Sequence, residues 1–521
     1  MRMQIFSFSP FGYEGALVTV EVDIRRGIPA VDIVGLADGA VKESRERMRA
    51  AVQNSGFEFP PERVLVSLSP ADMRKEGAGF DLAIALAVLQ ARSGKDSFSD
   101  SPAVLVMGEL ELSGNVRGVR AVHAAASTAA ASGIFKCIVP LSNEDEAREV
   151  NGMKVYGAAS LEDAFSALDS DEFFTERSRS EQSAFIPENC IETEGVLFPP
   201  VTEGFEFADV AGQSFFVRGL QIAAAGGHNL IAVGAPGCGK TMAMRKFQAL
   251  LPLLDVGEAQ PVTRIYSIAG LMRGNEPLVR IAPFREPHQT ATIEGMCGGG
   301  VRCIPGEISL AHNGVLFLDE AAEFRSSVLQ MLRVPIESGR ITLARAGRST
   351  VYPASFQLLM AANPCPCGNF GSKSKICLCS ARAVETYWNK FSAPLLDRID
   401  MRVFVDNEGA GQDAVRTTTA ELRPEIARAV KVQRKRQGKK NAKLLPEEIA
   451  GYCPMSAAGR KLLDNAAMRY GFSPRAVSSS VKLARTIADM AGCTVIQEAH
   501  VKEAIQYRKA CTGFLAETAV G

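Results

Sequence analysis

The chain has 521 residues, enough for two to four domains, because single hydrophobic cores stop growing at roughly 250–300 residues. Hydrophobic residues make up 46% and charged residues 22% of the chain, which is ordinary for a soluble globular protein. Lys+Arg and Asp+Glu both number 58, so net charge does not indicate a nucleic-acid partner, and a DNA binder of this composition must concentrate its basic residues locally.

No run approaches the ~20 apolar residues that a membrane helix needs, and the first residues lack the apolar core of a signal peptide. We therefore expect a cytoplasmic protein with no membrane partner. The 12 cysteines do not suggest a disulfide framework, since the chain is long and has no export signal.

Residues 1–167 predict an α/β domain, because strand-like runs such as ALVTVEVDI alternate with helical runs such as GFDLAIALAVLQA. Residues 168–204 are polar and poor in periodic hydrophobic residues, which indicates a linker; the alternative is that part of it packs on a domain. A second α/β pattern covers 205–405. Residues 406–521 lack strand signals and predict a helical domain.

The strongest motif is a short apolar strand, NLIAVG, followed by GAPGCGKT and a helical run. Glycines in such a loop let backbone N–H groups surround phosphates, and the next helix presents its positive N-terminal end to them. We expect Lys240 to reach the β- and γ-phosphates of ATP and Thr241 to ligate Mg²⁺. The predicted nucleotide-binding residues of the loop are Gly234, Ala235, Pro236, Gly237, Cys238, Gly239, Lys240 and Thr241.

A second apolar strand, GVLFL, ends in the carboxylates Asp319 and Glu320. Phosphoryl transfer needs a metal that neutralises charge and a positioned water. We expect Asp319 to act at the magnesium and Glu320 at the attacking water. In a chain without the GKT loop, such a pair would as readily be an ordinary charge pair at a strand end.

Residues 339–353 predict a hairpin with the sequence RAGR at its turn, which begins at Arg345 and ends at Arg348. These arginines are candidate DNA contacts, and the alternative is a solvated turn. A basic helical stretch, 428–443, is a second candidate, although charge runs usually mark a solvated face.

The strand FQLLMAA ends at Asn363, which we expect to orient the attacking water; the alternative is an Asn that starts a turn before Pro364. Four cysteines follow directly, in two C-x-C pairs. Paired thiolates can close a tetrahedral Zn²⁺ site, and free or redox-active thiols are the alternative. The four residues are Cys365, Cys367, Cys377 and Cys379.

Two later arginines are candidates for contacts with the γ-phosphate. Arg398 lies in PLLDRID, where it can act from a neighbouring subunit or form a salt bridge to Asp397 or Asp400. Arg475 opens a later predicted helix, where it can sense the γ-phosphate of its own subunit or lie on the surface.

Together these motifs resemble the AAA+ ATPases of the magnesium-chelatase-like family, in its ComM/YifB branch. The most specific stretches are VDIVGLADGAVKESRERMRAAVQNSGFEFP, SPADMRKEGAGFDLAIAL, PGEISLAHNGVLFLDE, AANPCPCG, PLLDRID and ARTIADMAG. The resemblance implies a Lon-protease-like N-terminal domain, an AAA+ P-loop αβα module and a helical C-terminal lid domain. It also implies a homo-oligomer, specifically a hexamer. The implied partner is single-stranded or branched DNA, because the best-understood members are thought to drive branch migration during natural transformation.

Three departures from the family pattern stand out. Gln289 replaces the second histidine of a PHHT motif, and Val477–Ser479 replaces an aromatic and a basic residue after the sensor arginine. In the first domain, Gly79 and His123 occupy the positions of the Lon serine and lysine, so the nucleophile and base of a protease are both missing. We expect Asp81 and His123 to be structural and this domain to serve assembly or partner docking.

Two classes of function follow. The first is a ring-shaped DNA motor driven by Mg·ATP hydrolysis. The second is an ATP-driven protein remodeller or a chelatase-type assembly factor, and stimulation of ATP hydrolysis by DNA distinguishes the two.

Overall fold

A computed structural model describes residues 3–36, 38–71, 73, 75, 77–93, 102–168, 171–174, 185–272, 276–345, 348–370, 375–405 and 416–509. Within these ranges, no helix combines the length and the apolar character that crossing a bilayer requires.

The N-terminal region is built on a mixed seven-stranded sheet with helices on both faces. Its elements are β1 (Gln4–Ser9), β2 (Ala16–Arg25), β3 (Ala30–Val34), α1 (Gly39–Asn54), β4 (Arg63–Ser69), α2 (Asp81–Arg92), β5 (Ala103–Val106), β6 (Glu109–Leu110), β7 (Val116–Arg117), α3 (Val122–Ala131), β8 (Lys136–Pro140), α4 (Glu144–Arg148), β9 (Lys154–Ala158) and α5 (Leu161–Ala167). The strand order is β3-β4-β2-β1-β5-β8-β9. Alternate residues of β5 enter separate cores: Val104 and Val106 pack with α1, α2 and α5, whereas Leu105 packs with α3.

The expected linker is partly folded. Residues Ile191–Thr193 (β10) and Val196–Phe198 (β11) form an antiparallel hairpin. Phe198 is fully buried beneath the guanidinium of Arg423, 5.0 Å from the ring centroid. The second half of the segment therefore packs on the rest of the chain through Phe198 and Arg423.

The second α/β region contains a five-stranded sheet. Its elements are α6 (Ser214–Gly226), β12 (Leu230–Gly234), α7 (Lys240–Arg245), α8 (Val256–Ala269), β13 (Phe284–Arg285), α9 (Ile293–Cys297), β14 (Gly298–Gly299), β15 (Ile304–Pro305), α10 (Glu307–Leu310), β16 (Val315–Leu318), α11 (Ser326–Met331), α12 (Arg333–Ser338), β17 (Arg340–Arg345), β18 (Arg348–Pro353), β19 (Gln357–Ala362), α13 (Ala381–Asn389), α14 (Ala393–Leu396) and β20 (Met401–Val405). The sheet order is β13-β16-β19-β12-β20, and all its pairs are parallel. Parallel strands place their carboxyl ends along one edge, where the motif residues follow β12, β16 and β19.

The predicted hairpin is confirmed as the antiparallel pair β17–β18, with Arg345 opposite Arg348. Residues 346–347 at its tip and the side chains of these two arginines lie outside the described part of the chain. Its base is buried: Tyr352 is fully covered, and its hydroxyl donates to the Cys303 carbonyl at 2.9 Å.

The C-terminal region is helical, as expected. It comprises α15 (Thr419–Gln437), α16 (Pro446–Tyr452), α17 (Ala457–Tyr470), α18 (Pro474–Met490) and α19 (Glu498–Lys509). Helix α15 begins with a capping box formed by Thr418 and Glu421 and ends at Gly438, whose φ of +68° is the left-handed conformation that closes a helix.

Candidate functional site: a phosphate-binding loop and two carboxylates

The glycine-rich loop connects β12 to α7 at the carboxyl edge of the parallel sheet. Gly237 and Gly239 have φ values of +81° and +82°, which residues with a Cβ adopt only with strain. Gly239 directly precedes Lys240, the first residue of α7. The loop therefore curls so that its backbone and the start of the helix face one cavity.

Lys240 and Thr241, the first two residues of α7, contact the loop and the carboxylate strand respectively. The Lys240 ammonium donates to the carbonyls of Gly234 at 2.6 Å and Ala235 at 2.9 Å. The Thr241 hydroxyl donates to the Asp319 carboxylate at 2.9 Å. This hydroxyl and carboxylate, from different elements, meet at one point, and hard oxygen ligands of this kind suit Mg²⁺.

Glu320 follows Asp319 in a strained backbone conformation. Its φ of +46° and ψ of +47° are left-handed, which costs a non-glycine residue about 1–3 kcal/mol. The exposed side chain of Glu320 lies at the wall of the cavity, next to the buried strand β16. Backbone strain of this kind clusters at functional sites, and here it occurs at a carboxylate that lines the cavity.

Asn363 completes the cavity. Its strand, β19, pairs with β16 on one side and with β12 on the other, so the amide lies between the loop and the two carboxylates. The cavity has a volume of about 410 Å³ and is lined by Pro236, Gly237, Cys238, Gly239, Lys240, Thr241, Met242, Asp319, Glu320, Ala361, Ala362 and Asn363. The structure thus brings together the three motifs found in the sequence.

The two candidate arginines lie together at Glu337 and not among the described residues that line the cavity. Both form ion pairs with Glu337, at the end of α12. Arg398 pairs with one carboxylate oxygen, and Arg475 pairs with the other. The Arg398 hydrogen bond holds the pKa of Glu337 below its usual value. Among the described residues that line the cavity, neither arginine appears. Arg475, expected to serve its own subunit, therefore shares the location of Arg398, and neither salt bridge proposed for Arg398 forms.

Two residues of this region carried no sequence signal. Glu337 lies in an ordinary helical segment, and only the fold brings both arginines to it. Gln213 donates its side-chain amide to the carbonyl of Cys238 in the phosphate-binding loop. No spacing rule marks either residue, because each contacts a partner distant in the sequence.

The basic stretch 428–443 is largely engaged inside the protein. Arg436 pairs with Asp489 at 2.7 Å, and Lys439 pairs with Glu448 at 2.6 Å. Both basic side chains stay partly exposed, and intramolecular carboxylates neutralise them. The same contacts weaken this stretch as a candidate DNA grip.

In the N-terminal region, Asp81 and His123 make structural contacts. Asp81 is fully buried, and Arg47 donates to it at 3.0 Å. Burial lowers the pKa of His123 to about 4, so the ring is neutral at pH 7, and its Nε2 contacts Gln260 of α8 at 2.8 Å. His123 thus connects the N-terminal region to helix α8 of the second α/β region.

The four clustered cysteines come together as the sequence suggested. Their sulfur atoms all lie within 4.8 Å of one another, directly after Asn363 and before α13.

Comparison with known families accounts for most of the chain. A model described as magnesium chelatase, subunit ChlI, matches residues 206–412; one for subunit ChlI of Mg-chelatase matches 20–143; and one for the ChlI C-terminal region matches 416–508.

Individual relatives extend over nearly the full length. The protein YifB of Escherichia coli (strain K12) is 38% identical over 502 residues, 95% of either chain. Competence protein ComM of Haemophilus influenzae (strain Rd) is 36% identical over 514 residues, 97% of either chain. The magnesium-chelatase 38 kDa subunit of Cereibacter sphaeroides is 25% identical over 176 residues, 31% of this chain and 53% of the subunit.

Proposed function

The chain belongs to the magnesium-chelatase-like ComM/YifB family of AAA+ ATPases, and from this premise we propose that it is a ring motor that hydrolyses Mg·ATP and acts on DNA. The observation that carries the proposal is the 2.9 Å contact between Thr241 and Asp319 beside the phosphate-binding loop. It joins the loop motif and the carboxylate motif into one site.

In the proposed reaction, Lys240 and the backbone of the loop would bind the β- and γ-phosphates, and Thr241 and Asp319 would hold Mg²⁺, which would supply charge neutralisation at the phosphates. Glu320 accepts a proton from the attacking water, and Asn363 orients that water from the neighbouring strand. Each role agrees with the position of the residue around the cavity.

The location of the arginines supports assembly into a ring. Arg398 and Arg475 lie apart from the cavity of their own subunit and share Glu337 as a partner. We propose that both act on the nucleotide of the adjacent subunit in a hexamer, where their charge stabilises the developing negative charge on the γ-phosphate. Glu337 would hold them in place until that phosphate competes for them.

The hairpin β17–β18 is the proposed DNA contact. It follows α12, which carries Glu337, and it leads into β19, which ends directly before Asn363. Changes at the nucleotide can therefore reach the hairpin through directly connected elements. Arg345 and Arg348, next to its tip, are proposed to bind phosphates, which gives contact independent of base sequence.

Several features support the remaining parts of the proposal. The relative from Haemophilus influenzae is named a competence protein, which favours a role in DNA uptake. We propose that the N-terminal region has a Lon-protease-like fold without proteolytic activity, because Gly79 and His123 replace the dyad, and that it serves assembly. The proposed setting is the cytoplasm, with single-stranded or branched DNA as the partner.

The alternative function is an ATP-driven protein remodeller or chelatase-type assembly factor, favoured by the similarity to a magnesium-chelatase subunit over 31% of the chain. The test is the steady-state rate of ATP hydrolysis with and without single-stranded or forked DNA. A DNA motor predicts stimulation that is absent in Lys240→Ala. Hydrolysis by the wild type that no DNA changes would favour the remodeller.

A further inference from the structure

The cysteine cluster has a geometry that calls for a metal rather than a disulfide. The sulfur of Cys365 lies 3.4 Å from that of Cys367 and 3.7 Å from that of Cys377, and the last two are 3.6 Å apart. A disulfide needs a separation of about 2.05 Å. Tetrahedral Zn²⁺ with bonds of about 2.3 Å places its sulfur ligands about 3.8 Å apart, close to the observed distances.

The backbone around the cluster is shaped as a metal-binding turn. The Gly368 N–H donates to the Cys365 carbonyl at 3.0 Å, and Gly368 has a φ of +78°. The Phe370 N–H points to the Cys365 sulfur at 3.4 Å. Such a donor stabilises the thiolate form of cysteine, which is the form that binds zinc.

This turn also touches the phosphate-binding loop. A Cβ added to Gly368 would lie 2.5 Å from the Cδ atom of Pro236, so the turn and the loop are in close contact. On the other side, Trp388 of α13 donates its indole N–H to the Pro364 carbonyl at 3.0 Å.

We propose that Cys365, Cys367, Cys377 and Cys379 bind one Zn²⁺, and that the zinc-bound turn holds the phosphate-binding loop and Asn363 in position. The metal connects the turn after β19 to the segment before α13. Cys365 and Cys367 belong to the turn, and Cys377 and Cys379 belong to that segment. The contact of Gly368 with Pro236 then transmits this rigidity to the nucleotide cavity.

The metal is tested by elemental analysis of the full chain purified without chelator. We expect about one zinc per chain in the wild type and little in the double variant Cys365→Ser/Cys377→Ser. The matched control, Cys190→Ser/Cys493→Ser, removes two cysteines outside the cluster and should keep its zinc. Zinc-free wild-type protein, or a cluster variant with full zinc content, would overturn the proposal.

A second measurement uses only the wild type, so it tests the proposal even if the cluster variant fails to fold. Removal of zinc by a chelator should lower Tm, and added Zn²⁺ but not Mg²⁺ should restore it, because structural zinc contributes directly to folding. A Tm that is unaffected by removal of the metal would contradict a structural role.

The contact with the loop is tested by Gly368→Ala, and this part rests on the proposed nucleotide site. The variant should keep its zinc but raise the Kd for a fluorescent ADP analogue by about tenfold, equivalent to about 1.4 kcal/mol. Gly133→Ala is the matched control, since Gly133 has a similar φ of +83° and open space around it. Unchanged affinity in Gly368→Ala would overturn the coupling, whereas wild-type protein that binds no nucleotide would instead contradict the proposed function.

Discussion

At the scale of single residues, the proposed roles of Lys240 and Glu320 are separable. Lys240 donates to the carbonyl of Gly234 in the glycine-rich loop, whereas Glu320 lines the same cavity from the end of another strand. We expect Lys240→Ala to abolish nucleotide binding. Glu320→Gln should bind ATP normally but lower the rate of hydrolysis by about 10²-fold or more, since it removes the base. Equilibrium binding and steady-state turnover measure the two effects, and normal turnover by Glu320→Gln would remove Glu320 from the mechanism.

His123 predicts a specific dependence of stability on pH. Burial lowers its pKa from 6.5 to about 4, so between these values the unfolded chain binds a proton that the folded chain excludes. The stabilisation from the neutral ring is therefore full above pH 6.5 and is lost as pH falls toward 4. For a shift of this size the loss is up to about 3 kcal/mol.

Urea unfolding at pH 7.5 and pH 5 tests this effect. Between the two pH values, the free energy of unfolding should decrease less in His123→Gln than in the wild type. The decrease that remains in the variant should include the contribution of His312, because burial also lowers the pKa of His312 to about 4. The control His288→Gln changes an exposed histidine and should behave as the wild type. The same loss in His123→Gln and the wild type would show that His123 does not set the profile.

At the scale of elements, the segment expected to be a linker contains a hairpin that packs against Arg423 through Phe198. Phe198→Ala removes a fully buried ring from under Arg423, which should reduce the free energy of unfolding by about 3–5 kcal/mol. Ile186→Ala, in the same segment but 44% exposed, should change it by less than about 0.5 kcal/mol. Chemical denaturation of both variants measures the difference, and equal small effects would support the linker after all.

The hairpin β17–β18 is proposed to contact the phosphates of DNA. Arg345→Ala/Arg348→Ala should weaken binding of single-stranded DNA equally for all base sequences. The plot of log K against log salt should become shallower: the magnitude of its negative slope should decrease by about 1.4, the amount expected for two lost contacts. Basal ATP hydrolysis should survive.

Arg340→Ala is the control for this variant, because it removes a positive charge at the base of the same hairpin. It should leave the salt slope close to that of the wild type. Equal losses of DNA affinity in the control and the tip variant would place the grip elsewhere.

The sequence predicted those elements whose function depends on local spacing. The phosphate-binding loop, Asp319 and Asn363 each follow a short apolar strand, so their convergence at one sheet edge could be inferred. The pairing of Arg475 with Glu337 could not, because it joins side chains 138 positions apart. For the same reason, the sequence did not reveal that Arg436 and Asp489 neutralise each other across the C-terminal helices.

At the scale of the whole molecule, the separation of the arginines from their own cavity predicts shared sites between subunits. Arg398→Ala should bind ATP normally and hydrolyse it at least about 10³-fold more slowly. Mixing it with Glu320→Gln should restore some activity, because some interfaces then combine an intact Arg398 with an intact Glu320. Demonstrated co-assembly without any recovery would argue that Arg398 acts within its own subunit or only structurally.

The central claim is that ATP hydrolysis at this site drives work on DNA, and displacement of a labelled strand from a forked duplex tests it most directly. The account predicts displacement by the wild type with Mg·ATP and none by Glu320→Gln. Arg345→Ala/Arg348→Ala should also fail, although it still hydrolyses ATP. Wild-type protein that hydrolyses ATP on the forked substrate yet displaces no strand and migrates no branch would contradict a DNA motor.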